Sequence, residues 1–148
     1  MVNSSPRISR RQVALDGLAV LASLVGLGDS LYLTIQHLTG RSVKCTIISG
    51  CSEVLSSSYA TIAGIPTAGF GALGYFAAFS LATLAVFGYR QPRKWLMVLV
   101  APMFLMTLWL LYVQAFVLHA FCEFCLLSAA MTLLLTVTVF LSNRLAVD

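Results

Sequence analysis

Charged residues are scarce in this chain: only 9% of its 148 residues are Asp, Glu, Lys or Arg, and only five are acidic. A soluble domain of this length needs far more charged surface, so the scarcity excludes an ordinary water-soluble globule. The sequence also lacks a continuous basic face, which argues against nucleic-acid binding despite a net charge of +4. No small-residue cleavage site follows the basic N-terminus, so we interpret the first apolar stretch as a retained helix.

Long apolar runs take the place of the missing charge, and hydrophobic residues make up 59% of the chain. A helix needs about 20 apolar residues to cross a hydrocarbon core of about 30 Å, and four segments approach or exceed that length. We therefore predict an all-α integral membrane protein, a single membrane domain over 1–148 built as a four-transmembrane-helix bundle. The helices are predicted at 13–35, 66–87, 95–118 and 122–141.

The placement of Lys and Arg predicts the orientation of the bundle. Seven of the nine basic residues fall on one side, which the positive-inside rule makes cytoplasmic together with both termini. These seven are Arg7, Arg10, Arg11, Arg90, Arg93, Lys94 and Arg144. The long loop 36–65, with Arg41 and Lys44, then faces outward, and a short helix beginning near Cys51 is predicted to cap the bundle there.

All four cysteines lie on the predicted outward side. Cys45 and Cys51 are spaced C-x5-C in the loop, and Cys122 and Cys125 form a C-x-x-C pair at the mouth of the fourth helix. An extracytoplasmic face favours disulfides or redox work. At a helix N-terminus, the positive end of the dipole favours the Cys122 thiolate, which is the species that attacks disulfides.

Two other interpretations of the cysteines stay open from the residues alone. Both pairs are compatible with permanent disulfides in a non-enzymatic membrane protein, such as a small transporter or an assembly factor. Four cysteines are also a possible zinc site, since C-x2-C is a common half-site. The unusual C-x5-C spacing and the oxidising face disfavour zinc, and we predict no metal.

Several motifs together resemble the vitamin K epoxide reductase (VKOR) family, in particular its bacterial members. The resemblance covers about Val13 to Leu141. Disulfide-forming quinone reductases of the DsbB type also have four spans and two cysteine pairs. In that family the C-x-x-C pair lies in the first outward loop, whereas in this chain it comes last. The motifs are Cys45, the run Cys51–Ser57, the run Tyr59–Pro66, Phe70-Gly71 and the run Cys122–Cys125.

The resemblance implies a helix bundle around a membrane quinone of the ubiquinone, menaquinone or vitamin K type. It implies that Cys125 reacts with the quinone, that Cys122 exchanges with Cys51, that Cys45 exchanges with an external partner, and that Ser57 supports the site. The partner is expected to be a separate thioredoxin-like (DsbA-like) protein. The implied activity is disulfide-bond formation at a bacterial plasma (inner) membrane. The alternative activity is reduction of vitamin K quinone or its epoxide.

The quinone contacts are less completely matched. Some animal family members carry Asn and Tyr donors at positions that match Thr67 and Ala129, and Thr67 can donate a hydrogen bond whereas Ala129 cannot. Three aromatic residues are further candidates to line a flat, ring-shaped pocket. They are Phe70, Trp109 and Phe116.

Two ionisable residues are candidates for proton handling. An acid within a span costs roughly 2.5–3.5 kcal/mol on insertion scales, so Asp29 should face the bundle interior. There it either takes up protons near the quinone or hydrogen-bonds across helices through Ser30 or Thr34. His119 precedes Cys122 closely, where it either acts on thiol and quinol protons or serves as an ordinary interfacial histidine.

Overall fold

The computed structural model describes residues 9–41, 45 and 50–147, so Arg7 and Lys44 lie outside the described residues. A π-helical turn at Val113–Val117 continues the helix that ends at Tyr112, and a 3₁₀ turn at Ser58–Ala60 follows the short helix that begins at Cys51. The α-helices are α1 (Arg10–Leu38), α2 (Cys51–Ser56), α3 (Thr67–Val86), α4 (Arg90–Tyr112) and α5 (Glu123–Val147).

Within the described residues, four helices are long and apolar enough to cross a membrane, which confirms the predicted all-α bundle. They cover Arg10–Leu38, Thr67–Val86, Arg90–Val117 and Glu123–Leu145. The first begins before the apolar run because Ser9 caps it, its Oγ accepting from the backbone N–H of Gln12 at 3.2 Å. Polar residues at the helix ends do not contribute to a hydropathy count, but they continue the helical backbone hydrogen bonds. The helices are therefore longer than the apolar segments.

Small side chains form the centre of the bundle, while large apolar side chains cover its outer surface. Helix α1 packs mainly against α3 and α5, and α4 packs against the same two helices. Ala78 and Ala82 of α3 are fully buried against Ala19 and Ala22 of α1. Because lipid is as apolar as leucine, such helices associate through close packing of small residues.

A buried ion pair joins three helices at the end of the bundle remote from the cysteines. The Arg93 guanidinium bonds Asp16 Oδ2 at 2.5 Å, and Ser142 Oγ donates to Asp16 Oδ1 at 2.6 Å. The sequence analysis placed Arg93 in a connecting segment, but α4 already begins at Arg90. Its first turn brings the guanidinium inward, where the carboxylate offsets the cost of burial.

The segment between α1 and α3 forms a cap over the other end of the bundle. Helix α2 begins at Cys51, as the sequence predicted, and leads through the 3₁₀ turn into a small antiparallel hairpin. Its strands, β1 (Thr61–Ile62) and β2 (Ile65–Pro66), are joined by Ala63 and Gly64. Both turn residues have positive φ, 53° and 80°, as a tight two-residue hairpin requires, and glycine adopts this at no steric cost.

Candidate active site

Three cysteine sulfurs meet beneath the cap. Cys45 and Cys51 form a disulfide with a Cα–Cα distance of 5.7 Å, and Cys122 is a free, buried thiol. The Sγ atoms of these three residues all lie within 4.8 Å of one another. A disulfide bond is about 2.05 Å long, so a displacement of less than about 3 Å brings Cys122 to bonding distance of the loop pair. Because two of the three sulfurs are already bonded, this arrangement suits thiol–disulfide exchange better than metal ligation.

Gly50 lets the cap approach Cys122 this closely. A Cβ at this position would lie 2.4 Å from the backbone oxygen of Phe121 and 2.8 Å from its backbone nitrogen. Phe121 directly precedes Cys122, and Gly50 directly precedes Cys51. The two cysteine-bearing backbones therefore touch at a point that only glycine can occupy.

The backbone before α5 is held by Gln114, a residue that the sequence analysis overlooked. Gln114 lies in the π-helical turn and is only 3% exposed. Its side-chain Oε1 accepts from the backbone N–H of Cys122 at 3.1 Å, and its backbone oxygen accepts from Ala120 at 3.1 Å. A lone amide within an apolar span was the available signal, because a polar group there needs an interior partner.

The Cys122 thiol is tuned toward the thiolate. A hydrogen bond from the Cys125 thiol, helped by the backbone N–H groups of Cys125 and Phe124, lowers the pKa of Cys122 from 9.0 to about 7, against the opposing effects of burial and of the Asp29 charge. The helix N-terminus therefore acts in the direction that the sequence predicted, but the second thiol of the C-x-x-C pair contributes more.

A cavity of about 420 Å³ opens beside the second thiol. Cys125 lines it, together with the cap residues Val54, Leu55, Tyr59 and Ile62. The rest of the wall comes largely from apolar residues of α3 and α4. Ligand sites of drug-sized molecules have volumes of about 300–1,000 Å³ and mostly apolar walls, so the cavity has the size and chemistry for a quinone ring.

The residues proposed from sequence as quinone contacts divide into two groups. Thr67 and Phe70 line the cavity. Trp109 and Phe116 do not line it: they are 50% and 67% exposed and stack in sequence with Tyr112 on the outer surface of the bundle. Their positions on α4 and its π-helical turn point away from the cysteines, where large aromatic side chains meet lipid.

Most hydroxyl groups on the cavity wall donate to the protein itself. Thr67 donates to the Tyr59 backbone oxygen at 3.1 Å, and Ser57 donates to the Val54 backbone oxygen at 2.7 Å. Ser57 is the serine that the family resemblance singled out, and this bond fixes the C-terminal end of α2. Ala129, the second position matched to an animal donor, also lines the cavity and offers no polar group.

Two further hydroxyls lie deeper in the cavity, on α5. Ser128 and Thr132 both hydrogen-bond the Tyr75 hydroxyl, at 2.9 and 2.6 Å. Tyr75 reaches them because Gly26 leaves space for its ring; a Cβ there would lie 2.3 Å from a ring carbon. The network ties α3 to α5 one to two turns below Cys125.

The two candidates for proton handling lie in different environments. Asp29 is buried, 8% exposed, and among the described residues neither carboxylate oxygen has a hydrogen-bond partner. The predicted link through Thr34 does not form, because Thr34 donates to the Ser30 backbone oxygen instead. His119 is exposed, adopts φ of 50° in the segment before α5, and does not line the cavity.

Comparison with known protein families agrees with this architecture. The model of a family described as the vitamin K epoxide reductase family matches residues 18–140. The match includes all four long helices in large part, the cap and all four cysteines.

Proposed function

Because the chain belongs to the vitamin K epoxide reductase family of membrane oxidoreductases, we propose that it is a quinone-dependent thiol oxidoreductase that relays electrons through its two cysteine pairs. The observation that carries the proposal is the meeting of three sulfurs within 4.8 Å, next to a cavity lined by the fourth cysteine. The relay supports disulfide-bond formation in a separate thioredoxin-like protein.

The first step takes place at the loop pair. A thiolate of the partner attacks the Cys45 sulfur, breaks the Cys45–Cys51 bond and leaves as a partner disulfide when its second thiol displaces Cys45. Two electrons thereby reach Cys45 and Cys51, which become thiols. Cys45 suits this contact because it is only partly buried, whereas Cys51 is buried against Cys122.

The second step moves the electron pair to the helix cysteines. The Cys51 thiolate attacks Cys122 in a Cys122–Cys125 disulfide and releases Cys125, which takes up a proton. Cys45 then attacks Cys51, restores the loop disulfide and releases Cys122. A pKa of about 7 makes Cys122 a good leaving group near neutral pH, because a thiol of lower pKa leaves faster.

The bonding between the cysteines supports this order of steps, because the end of the second step would leave the same arrangement. The loop pair is oxidised and the helix pair is reduced, with Cys125 facing the cavity. A quinone bound there would supply an acceptor for two electrons and two protons, allowing the Cys122–Cys125 disulfide to form again. Thr67 and Phe70, which line the same cavity as Cys125, would help to hold the quinone.

We propose Asp29 as a transient acceptor for the thiol protons. Ionisable groups within a span are costly, and a buried carboxylate without a partner is a functional candidate on that ground. Its charge already acts on Cys122. Replacing Asp29 with Asn should slow quinone-linked turnover without slowing exchange between Cys51 and Cys122, because loss of the Asp29 charge lowers the pKa of Cys122 further. Equal turnover would remove Asp29 from the mechanism.

The relay is tested by single cysteine variants in purified protein. Cys125→Ala should abolish quinone reduction by a small dithiol, because the thiol that lines the cavity is gone. Cys45→Ala should retain that reaction but lose oxidation of a thioredoxin-like protein. Full quinone reduction by the Cys125 variant would end the proposal.

The orientation is a separate part of the proposal, with both termini cytoplasmic and the cap outside. The described basic residues Arg10, Arg90 and Arg144 lie at one end of the helices, and Arg41 lies at the other. A membrane-impermeant maleimide applied to intact cells should label a reduced Cys45 but not a cysteine introduced at Arg90. Labelling of the cysteine at position 90 and not of Cys45 would show that the protein has the opposite orientation.

A further inference from the structure

The cavity poses a chemical problem for a bound quinone. Both quinone carbonyls accept hydrogen bonds, so a site that orients the ring must offer donors. The hydroxyl groups of Thr67, Ser57 and Thr107 donate hydrogen bonds to backbone oxygens. Those of Ser128 and Thr132 hydrogen-bond the Tyr75 hydroxyl. Of the remaining polar side chains on the wall, Ser30, His37, Tyr59 and Gln114 donate no hydrogen bond within the described residues.

Among the polar side chains of the cavity wall, Gln114 is the one that hydrogen-bonds the backbone of a redox cysteine. It lines the same cavity, and its carbonyl oxygen is already bonded to the Cys122 backbone N–H. Because that partner is a donor, the bond fixes which end of the amide is oxygen and leaves the NH₂ group as the other arm. Within the part of the chain that the structure describes, nothing accepts a hydrogen bond from this NH₂ group.

We propose that Gln114 serves both partners of the final redox step: its carbonyl oxygen positions Cys122, and its amide NH₂ donates to a quinone carbonyl in the cavity. The assignment rests on the proposed function. It supplies the donor that Ala129 cannot provide, from a different helix. It also makes quinone binding sensitive to the backbone position of Cys122, because one rigid amide contacts both.

The inference is tested by direct binding rather than turnover. In a Cys122→Ala, Cys125→Ala background, the thiols no longer titrate or react, while the backbone N–H at position 122 remains. The probe is 2,3-dimethyl-1,4-naphthoquinone, whose ring positions are blocked against thiol addition, and its Kd is measured by calorimetry in detergent. Gln114→Met removes both arms of the amide and should raise Kd about three- to tenfold, the value of one net hydrogen bond.

A second variant separates donation from structural support. In Gln114→Glu, a protonated carboxyl keeps both a donor and an acceptor, whereas the ionised form keeps only the acceptor. Its Kd should therefore rise with pH between 5.5 and 8.5, while the Kd of the Gln114 protein changes less because an amide does not titrate. His37, which lines the same cavity, and Asp29, whose charge acts on Cys122, are common to both proteins and cancel in the comparison.

The outcomes distinguish the role of Gln114 from the electron relay on which it depends. If quinone reduction depends on Cys125 but both Gln114 variants bind the probe as tightly as the parent at every pH, the role of Gln114 is overturned and the relay stands. If the Gln114 parent fails to bind the probe, the role of Gln114 is overturned; if Cys125→Ala also retains quinone reduction, the relay itself fails. Should Gln114→Met not fold, the pH profile of Gln114→Glu alone decides.

Discussion

Replacing Gly50 with Ala should separate the two cysteine pairs without unfolding the bundle. The added methyl group would lie 2.4 Å from the Phe121 backbone oxygen, whereas an ordinary contact is at least 3.4 Å. Backbone atoms on both sides cannot rotate away, so the cap must shift by about 1 Å. Cys51 follows Gly50 directly, and its sulfur lies within 4.8 Å of the Cys122 sulfur. A misplacement of about 1 Å in a reacting pair costs up to about 100-fold in rate.

The assay follows the exchange step itself. In a Cys45→Ala protein, the thiol that resolves the mixed disulfide is missing, so a Cys51–Cys122 bond accumulates after the helix pair is oxidised. The rate of its appearance is measured by acid quenching, thiol blocking and mass spectrometry of the linked peptides. Gly50→Ala should slow this rate by about 10- to 100-fold.

The control is Gly28→Ala, since a Cβ at Gly28 meets nothing within 4 Å. It should leave the rate of mixed-disulfide formation unchanged and slightly stabilise α1, because alanine favours helix over glycine. Equal rates in the Gly50→Ala protein and its parent would refute the argument that backbone contact at Phe121 sets the distance between the cysteines.

Three further predictions follow from the same geometry. With the loop pair oxidised, thiolate absorbance near 240 nm should show Cys122 titrating at about pH 7, so that its thiolate fraction rises as pH rises through 7. In Cys125→Ala the transition should move toward 9.0, and an unmoved transition would exclude the thiol–thiol hydrogen bond as the main cause of the low pKa. Arg93→Met should lower the free energy of unfolding in detergent by about 3–5 kcal/mol, because Asp16 is left buried without its cation, and an added Asp16→Leu should recover part of that loss. Trp109→Leu should leave the KM for quinone within about twofold of the parent, less than the loss of one net hydrogen bond would cause, because the indole does not line the cavity. A tenfold rise would place the indole in the cavity wall.

The bundle could be predicted from sequence because a bilayer imposes one dominant rule. A segment of about 20 apolar residues must satisfy its backbone internally, so hydropathy alone predicts four helices. The short helix at Cys51 was also predictable, because Gly50 and Glu53 mark a helix start. Helix ends were less accessible: the cap at Ser9 and the first turn of α4 at Arg90 are polar, and they disappear from a hydropathy count.

The residues that line the cavity could be predicted only in part, because the sequence does not reveal the rotation of each helix about its own axis. Thr67 and Phe70 follow the cap directly, so their position near the cysteines comes from chain connectivity. Trp109 and Phe116 lie on the third span, and aromatic residues suit either lipid or a ring-shaped ligand. The rotation of that helix is set by packing against α3 and α5, which a single sequence does not reveal. Gln114 was missed for the same reason, although it is the polar residue of that turn that faces inward.

The two ends of the bundle divide stability from chemistry. Asp16 and Leu33 are both buried residues of α1, about 25 Å apart along the helix at 1.5 Å per residue. Around Asp16, small residues pack densely about a buried ion pair; around Leu33, the cap, the cysteines and a cavity of about 420 Å³ meet. Thiol–disulfide exchange needs a movement of less than about 3 Å by the cysteines at the capped end of the bundle. The end around Asp16 need not take part in that movement. A substitution of Arg93 should therefore change unfolding and not the rate of mixed-disulfide formation, whereas Gly50→Ala should do the reverse. If either substitution changed both quantities in proportion, the bundle would behave as one mechanical unit and the cap could not act as a separate moving part.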